Sequence, residues 1–130
     1  MKLLLDTHLL IWTAEASDHL PGVAANLILD PENEVHFSAA SIWETAIKSA
    51  LRRPDFTINA GLLRRGLLDN GYVEVPVTAT HAVAVGSLPS LHKDPFDRML
   101  VAQATEAGLL LLTSDAQIAA YPGPIRLVRS

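Results

Sequence analysis

Four acidic residues, Asp6, Glu44, Asp97 and Asp115, stand where the chain should leave a strand or enter a helix, and together they could carry out cation-assisted hydrolysis. Four carboxylates drawn within a few ångströms repel one another, each close pair by about 1 kcal/mol in water and about 4 kcal/mol at an effective dielectric of about 20. Something positive has to compensate. No lysine or arginine directly neighbours Asp6 or Asp115, whereas hard divalent ions such as Mg2+ or Mn2+ prefer a few carboxylates plus waters and phosphate oxygens. Such ions activate water and stabilise the departing oxygen of a phosphodiester, so the chemistry implied is phosphodiester hydrolysis with water as nucleophile.

Taken singly, each acid also has a structural reading. Asp6 ends an apolar run and could cap the next helix. Glu44 could be the return half of a capping box with Ser41, or one partner of an i,i+4 pair with Lys48. Asp97 near a helix start suits the helix dipole, and Asp115, after Thr113 and Ser114, could be an ordinary cap. Placement separates the catalytic reading from these. Asp6 and Asp115 directly follow expected strands, while Glu44 and Asp97 fall in the first turns of expected helices. Parallel strands would set three of the acids at one edge of a sheet, where Asp97 could join them. Asp97 shares a helical row with Leu100, Val101 and Ala104 and should point inward, where an unpaired carboxylate is costly. Asp94 takes the cap position ahead of it, so Asp97 reads as the ligand and Asp94 as its support.

The elements that must position these residues are short. Lys2 to Leu5 is apolar without alternation, the pattern of a strand buried on both faces of a parallel sheet. A helical stretch over Leu9 to Ala14 follows, then a turn at Pro21 and Gly22 and a helix over Val23 to Leu29 closed by Asp30 and Pro31. Val35 to Phe37 makes a second strand. Ser41 would cap the next helix, on which Trp43, Ala46, Ile47, Ala50 and Leu51 recur at helical spacing before Pro54; on that row Trp43 reads as core packing. Leu62 to Leu68 suits a helix stopped by Asn70 and Gly71, Tyr72 to Val75 a third strand, and Thr80 to Val85 a helix broken near Gly86 and Pro89. Asp94, Pro95, Phe96 and Asp97 fall in the order N-cap, N1, N2, N3 of a helix that runs to a stop at Gly108. Leu109 to Leu112 is a fourth strand, Asp115 to Ala120 a short last helix and Ile125 to Val128 a candidate fifth strand. Strands alternating with helices imply right-handed crossovers, a parallel sheet and helices on both faces, with sites beyond the carboxyl ends of the strands.

With 130 residues, nearly half of them apolar, one compact domain over residues 1–130 is expected. The absence of cysteine excludes disulfides and thiolate zinc sites and agrees with a reducing interior. The longest apolar stretches fall far below the roughly 20 residues that span a bilayer, and Asp6 interrupts the first of them too early for a signal peptide. A soluble, cytoplasmic protein is expected, with no membrane contact. Ten Lys plus Arg against fourteen Asp plus Glu, a formal charge of −4, argue against a generic nucleic-acid coat protein. They leave room for an enzyme that holds a few phosphates through cations and local basic residues.

Four segments, LLLDTHLLIW (3–12), SAASIWE (38–44), HKDPFDRMLVAQA (92–104) and LLLLTSD (109–115), cover nearly the whole chain in order and spacing. Together they resemble a PIN-domain protein of the VapC toxin type, the third segment being the most specific. The resemblance implies a three-layer α/β/α fold with a central parallel sheet of four to five strands, Mg2+ or Mn2+ dependence and endoribonuclease activity on RNA. It also implies a homodimer and neutralisation by a cognate VapB-type antitoxin. Residue by residue, Asp6 and Asp97 match the main metal ligands, Glu44 the acid of the second motif and Asp115 the more variable fourth acid. Thr7 and Ser114 flank these positions and could orient ligands or water. Residues 52–90 carry no transferable motif and could contribute to dimer and partner surfaces.

His8 and His92 adjoin the motif acids; contact with substrate or metal is one reading, and solvated or hydrogen-bonded histidines are the preferred one. Arg98, Lys48, Arg52 and Lys93 could position RNA phosphates, or could be solvated charges or antitoxin contacts. Trp12 could stack a base. Three rivals stand beside the toxin reading. An aspartyl phosphotransferase also places an Asp after its first strand, but its motif wants a second Asp two residues on, where His8 stands. A PIN-like scaffold that binds Mg2+ without turnover is opposed by the intact set of four acids. An RNA-processing or structure-specific nuclease outside the toxin class is opposed by the small size, which leaves no added nucleic-acid-binding domain.

Overall fold

Leu3, Leu4 and Leu5 are buried on both faces, as a strand in the middle of a parallel sheet must be. In the computed structural model, which describes residues 1–129, they belong to β1 (Lys2–Leu5). The chain continues through α1 (Thr7–Ala14), α2 (Gly22–Leu29), β2 (Glu34–Ser38), α3 (Ala39–Ala50), α4 (Ala60–Asp69) and β3 (Val73–Val75). It ends with α5 (Ala79–Val85), α6 (Pro95–Ala107), β4 (Leu110–Thr113), α7 (Ala116–Ala119) and β5 (Ile125–Leu127). The strands form one five-stranded sheet, all parallel, in the order β3-β2-β1-β4-β5.

Helices cover both faces. Leu3 and Leu5 pack with Leu9, Leu10, Ile28 and Leu63 of α1, α2 and α4. Leu4 and Leu111 face the other way, against Leu100, Val101 and Ala104 of α6 and Ile118 of α7. Successive side chains of one strand therefore enter two different cores, which is why β1 shows no polar alternation. Each fully buried leucine contributes roughly 1.5–3 kcal/mol relative to exposure.

The connections decide where a site can form. From β1 the chain steps to β2 and then β3 on one side, and afterwards crosses back to place β4 on the other side of β1. Beside such a reversal the flanking connections diverge, and a crevice opens beyond the carboxyl ends of the strands. Leu5 pairs with Leu112, so the next residues along, Asp6 and Thr113, emerge together at that edge.

The helix carrying Glu44 differs from the sequence expectation. Ser38, not Ser41, is its cap: the Ser38 hydroxyl accepts the Ala40 amide at 3.0 Å and donates to Gln103 Oε1 at 2.5 Å. The helix thus starts at Ala39, Ser41 is its third residue, and Glu44 lies in the second turn, so the capping box between Ser41 and Glu44 does not exist. Its buried face is Ala40, Ser41, Glu44 and Thr45, tied down by Thr7 Oγ1 donating to Ser41 Oγ at 2.9 Å and Thr45 Oγ1 donating to the Ser41 carbonyl at 2.8 Å. The apolar row faces outward instead. Trp43 is 62% exposed and Leu51 67%, and Trp43 meets Phe96 edge-on at 5.1 Å between ring centres, so it is not core packing.

By contrast, α6 starts as its sequence reads. Asp94 Oδ1 accepts the amides of Phe96 at 2.8 Å and Asp97 at 3.0 Å, with Pro95 in the first turn. The far end closes at Gly108 with φ at 69°, the left-handed conformation that glycine adopts without a side-chain clash.

Candidate active site

Asp6 leaves β1 at the centre of the sheet and is 3% exposed. One carboxylate oxygen, Oδ1, caps α1 by accepting the Leu9 amide at 2.8 Å; the other, Oδ2, accepts the Thr113 hydroxyl at 2.6 Å. Burial raises its pKa above the ordinary carboxylate value, and Asp115 adds to the rise. The Thr113 and Leu9 bonds and the nearby His8 oppose it. Thr113 Oγ1 also accepts the Asp115 amide at 3.0 Å, so one hydroxyl joins the acids that follow β1 and β4.

Glu44 comes off the buried face of α3 at 2% exposure. Its Oε2 accepts Lys48 Nζ at 2.6 Å, the i,i+4 pair that the spacing permits. Among the described residues its Oε1 is the one buried side-chain polar atom with no hydrogen-bond partner. A desolvated carboxylate oxygen without a donor costs several kcal/mol unless something positive meets it.

Asp97, on the first turn of α6, accepts His92 Nε2 on Oδ2 at 2.9 Å. Its pKa is raised to about 6, chiefly by burial and next by the Asp94 charge; Glu44 and Asp6 add to the rise and the His92 bond opposes it. Three carboxylates felt by one group is the electrostatic signature of a shared pocket.

Asp6, Glu44, Asp94, Asp97 and Asp115 all line one cleft of about 510 Å³, with Lys48 and Arg129 as its cationic lining residues. Ser114 lines it too. Asp115 Oδ1 caps α7 by accepting the Gln117 amide at 2.8 Å. The donors on offer are carboxylate oxygens and imidazole nitrogens, a set suited to a hard or borderline divalent cation. The orphaned Glu44 oxygen and the excess of carboxylates fit such an ion.

Other expected contacts fall elsewhere. Thr7 is buried against Ser41 rather than turned to the cleft, so it supports α1 on α3. Arg98, expected as support or as a phosphate contact, is spent internally. Its guanidinium donates to the carbonyls of Val85 at 3.1 Å and Pro89 at 2.9 Å and to the Tyr121 hydroxyl at 3.0 Å. His8 and Trp12 do line the cleft, at its rim, where His8 pairs with Asp55 at 3.2 Å and Trp12 stacks on His19. Sequence reasoning passed over Thr113 and Tyr121; only the β1–β4 register could have pointed to Thr113.

Thr113→Val is expected to move the acid limb of cation binding to higher pH. The lost hydroxyl bond is one of the two contacts that most lower the Asp6 pKa, so its removal makes the carboxylate harder to ionise. Mn2+ titrations from pH 5 to 8 measure this; an unchanged pH profile would remove Thr113 from the site.

The family model described as PIN domain matches residues 3–124. The fold is similar to VapBC2 from Rickettsia felis, solved bound to a DNA fragment from its promoter, with a TM-score of 0.71, 14% identity, and coverage of 98% of this chain and 99% of that one. It is also similar to VapC20 from Mycobacterium tuberculosis, described as a sarcin-ricin loop cleaving toxin, with a TM-score of 0.64, 17% identity and coverage of 92% and 96%. FitAcB from Neisseria gonorrhoeae matches with a TM-score of 0.60, 19% identity and coverage of 96% of each chain. No curated protein matches by sequence.

Proposed function

This chain belongs to the PIN-domain family, and from that premise we propose that it is a Mg2+- or Mn2+-dependent endoribonuclease, the toxin of a VapBC-type toxin–antitoxin pair. The observation that carries the reading is the unpartnered, buried Glu44 oxygen in a cleft with four further carboxylates at the switch point of the sheet. Asp6, Glu44 and Asp97 would hold the cation, with Asp115 at the mouth of α7 completing the set. When bound, a divalent cation supplies Lewis acidity and neutralises the charge that builds on the phosphodiester. Arg129, and Lys48 beside its pairing with Glu44, line the cleft and would meet phosphate oxygens entering it.

The likeness to proteins solved as VapBC complexes supports a VapB-type antitoxin as the physiological partner, and that to VapC20 supports RNA as substrate. An apolar groove lined by Trp43, Val77, Val85, Phe96 and Met99 supports a homodimer built on α3, α5 and α6. No described helix is long and apolar enough to cross a membrane; the reading places the protein in the cytoplasm with its RNA.

The test is to incubate purified, antitoxin-free protein with total RNA and Mn2+ or Mg2+, beside an EDTA control and Asp6→Asn. Discrete cleavage products should appear only with wild-type protein and metal. Cleavage that survives EDTA would end the metal-dependent reading, and metal-dependent cleavage of duplex DNA but not RNA would reassign the substrate.

A further inference from the structure

Among the groups lining the cleft that this reading leaves unused is the His92 imidazole. His92 lies just ahead of α6, with its side chain largely buried and Nε2 2.9 Å from Asp97 Oδ2. Among the described residues, His92, Asp94 and Asp97 form the one group of three whose potential ligand atoms lie within 4.8 Å of one another. Asp94 lines the cleft as well, but its Oδ1 is held by the amides of Phe96 and Asp97, so His92 and Asp97 are the pair in direct contact there.

The aim of the imidazole is set by a built backbone. The Tyr121 hydroxyl accepts the His92 amide at 2.9 Å and donates to the His92 carbonyl at 3.1 Å, and Arg98 donates to the same hydroxyl at 3.0 Å. A tyrosine just after α7 and an arginine of α6 therefore hold the backbone of one histidine. Two ligand atoms at neighbouring octahedral positions, each roughly 2.1 Å from an ion, lie roughly 3.0 Å apart, which is the spacing that His92 and Asp97 present. The buried Glu44 Oε1, unpartnered and lining the same cleft, is an independent sign that a positive group belongs there.

We propose that His92 is a nitrogen ligand to the cation of this site, beside Asp97, and that it tilts the site towards first-row transition ions and away from Mg2+. The inference rests on the metal-dependent reading of the cleft. Mg2+ favours oxygen donors and dehydrates reluctantly, whereas imidazole suits transition ions. Mn2+, the weakest binder of that series and itself partial to oxygen donors, makes the conservative probe.

The experiment is pulsed electron paramagnetic resonance of Mn2+ bound to the full chain, with Mn2+ and Mg2+ affinities measured by titration and competition. Wild-type protein should show a directly bound nitrogen. That coupling should disappear in His92→Gln, with Mn2+ affinity falling ~10-fold or more and Mg2+ affinity changing less than about threefold. Labelling the wild-type protein with 15N-histidine should change the coupling pattern without any substitution, so the result does not depend on the variant folding. An oxygen-only spectrum in wild type, with binding still abolished by Asp6→Asn, would overturn the His92 assignment and leave the metal site standing. Mn2+ binding that is absent, or indifferent to Asp6→Asn, would overturn both.

Discussion

Asp97→Asn is expected to cut metal-dependent RNA cleavage by at least ~10²–10³-fold, the scale on which a preorganised charge in an active site acts, while making the metal-free protein more stable at neutral pH. The second half follows from linkage. A carboxyl whose pKa is raised from 3.8 to about 6 in the folded state favours folding in its protonated form. That contribution is fully present below about pH 4, the unfolded value, and is lost as pH rises through about 6. Above that range the folded protein carries an ionised Asp97 among other carboxylates at a cost of up to about 3 kcal/mol. The side chain is only 16% exposed, so water screens it little.

Asparagine keeps the shape and can still accept the His92 hydrogen bond, but it never ionises. The variant should therefore melt higher than wild type at pH 7.5 in EDTA, by ~1–3 kcal/mol, and match it near pH 4. Added Mn2+ should raise the melting temperature of wild type and not of the variant, because binding to the native state alone is what stabilises it. Thermal melts at the two pH values, with and without metal, check all three statements. A variant no more stable than wild type at pH 7.5 would mean that Asp97 is not under electrostatic strain.

The second large effect is structural. Arg98→Ala is expected to destabilise the protein by ~2–4 kcal/mol, since it deletes a charged donor that serves the carbonyls of Val85 and Pro89 and the Tyr121 hydroxyl. A hydrogen bond from a charged group is worth roughly 1.5–3 kcal/mol, while the Val85 and Pro89 carbonyls keep the Leu88 and Leu91 amides as donors. Part of this segment is exposed, which keeps the total below a simple sum. Lysine should recover little, because one ammonium cannot span the places that the guanidinium fork reaches. For a domain of this size the drop corresponds to ~5–15 °C in melting temperature. Amide exchange should speed up over residues 85–92, while Arg53→Ala, at an exposed position, should leave both readouts unchanged. A loss under ~0.5 kcal/mol would show that the loop does not depend on Arg98.

Asp97 and Arg98 both stand at the start of α6, the part of the molecule most legible in the sequence. Asp94, Pro95 and Gly108 each act on their own backbone neighbourhood, through a cap, a preset φ and a left-handed stop, so local signals suffice. The strands were legible for a related reason. Runs such as Leu3 to Leu5 are apolar at every position only when both faces are covered. The start of α3 was misread because two serines three residues apart both look like caps. Ser38 prevails through its bond to Gln103, a partner 65 positions away that no local pattern contains.

What the amino-acid order determined unaided is the list of elements, the parallel α/β class, and the identity of acids that follow strands or open helices. These depend on periodicity and on backbone chemistry within a few residues. The rest was decided only by tertiary structure. It selected which face of α3 is buried, left Glu44 Oε1 without a partner, gave Asp6 the Thr113 hydroxyl, turned Arg98 inward and set His92 on Asp97. Most of those outcomes depend on groups far apart in sequence that the sheet and its crossing from β3 back to β4 bring together. Hydrogen bonds and desolvation are settled by distances in space, which spacing along the chain does not encode.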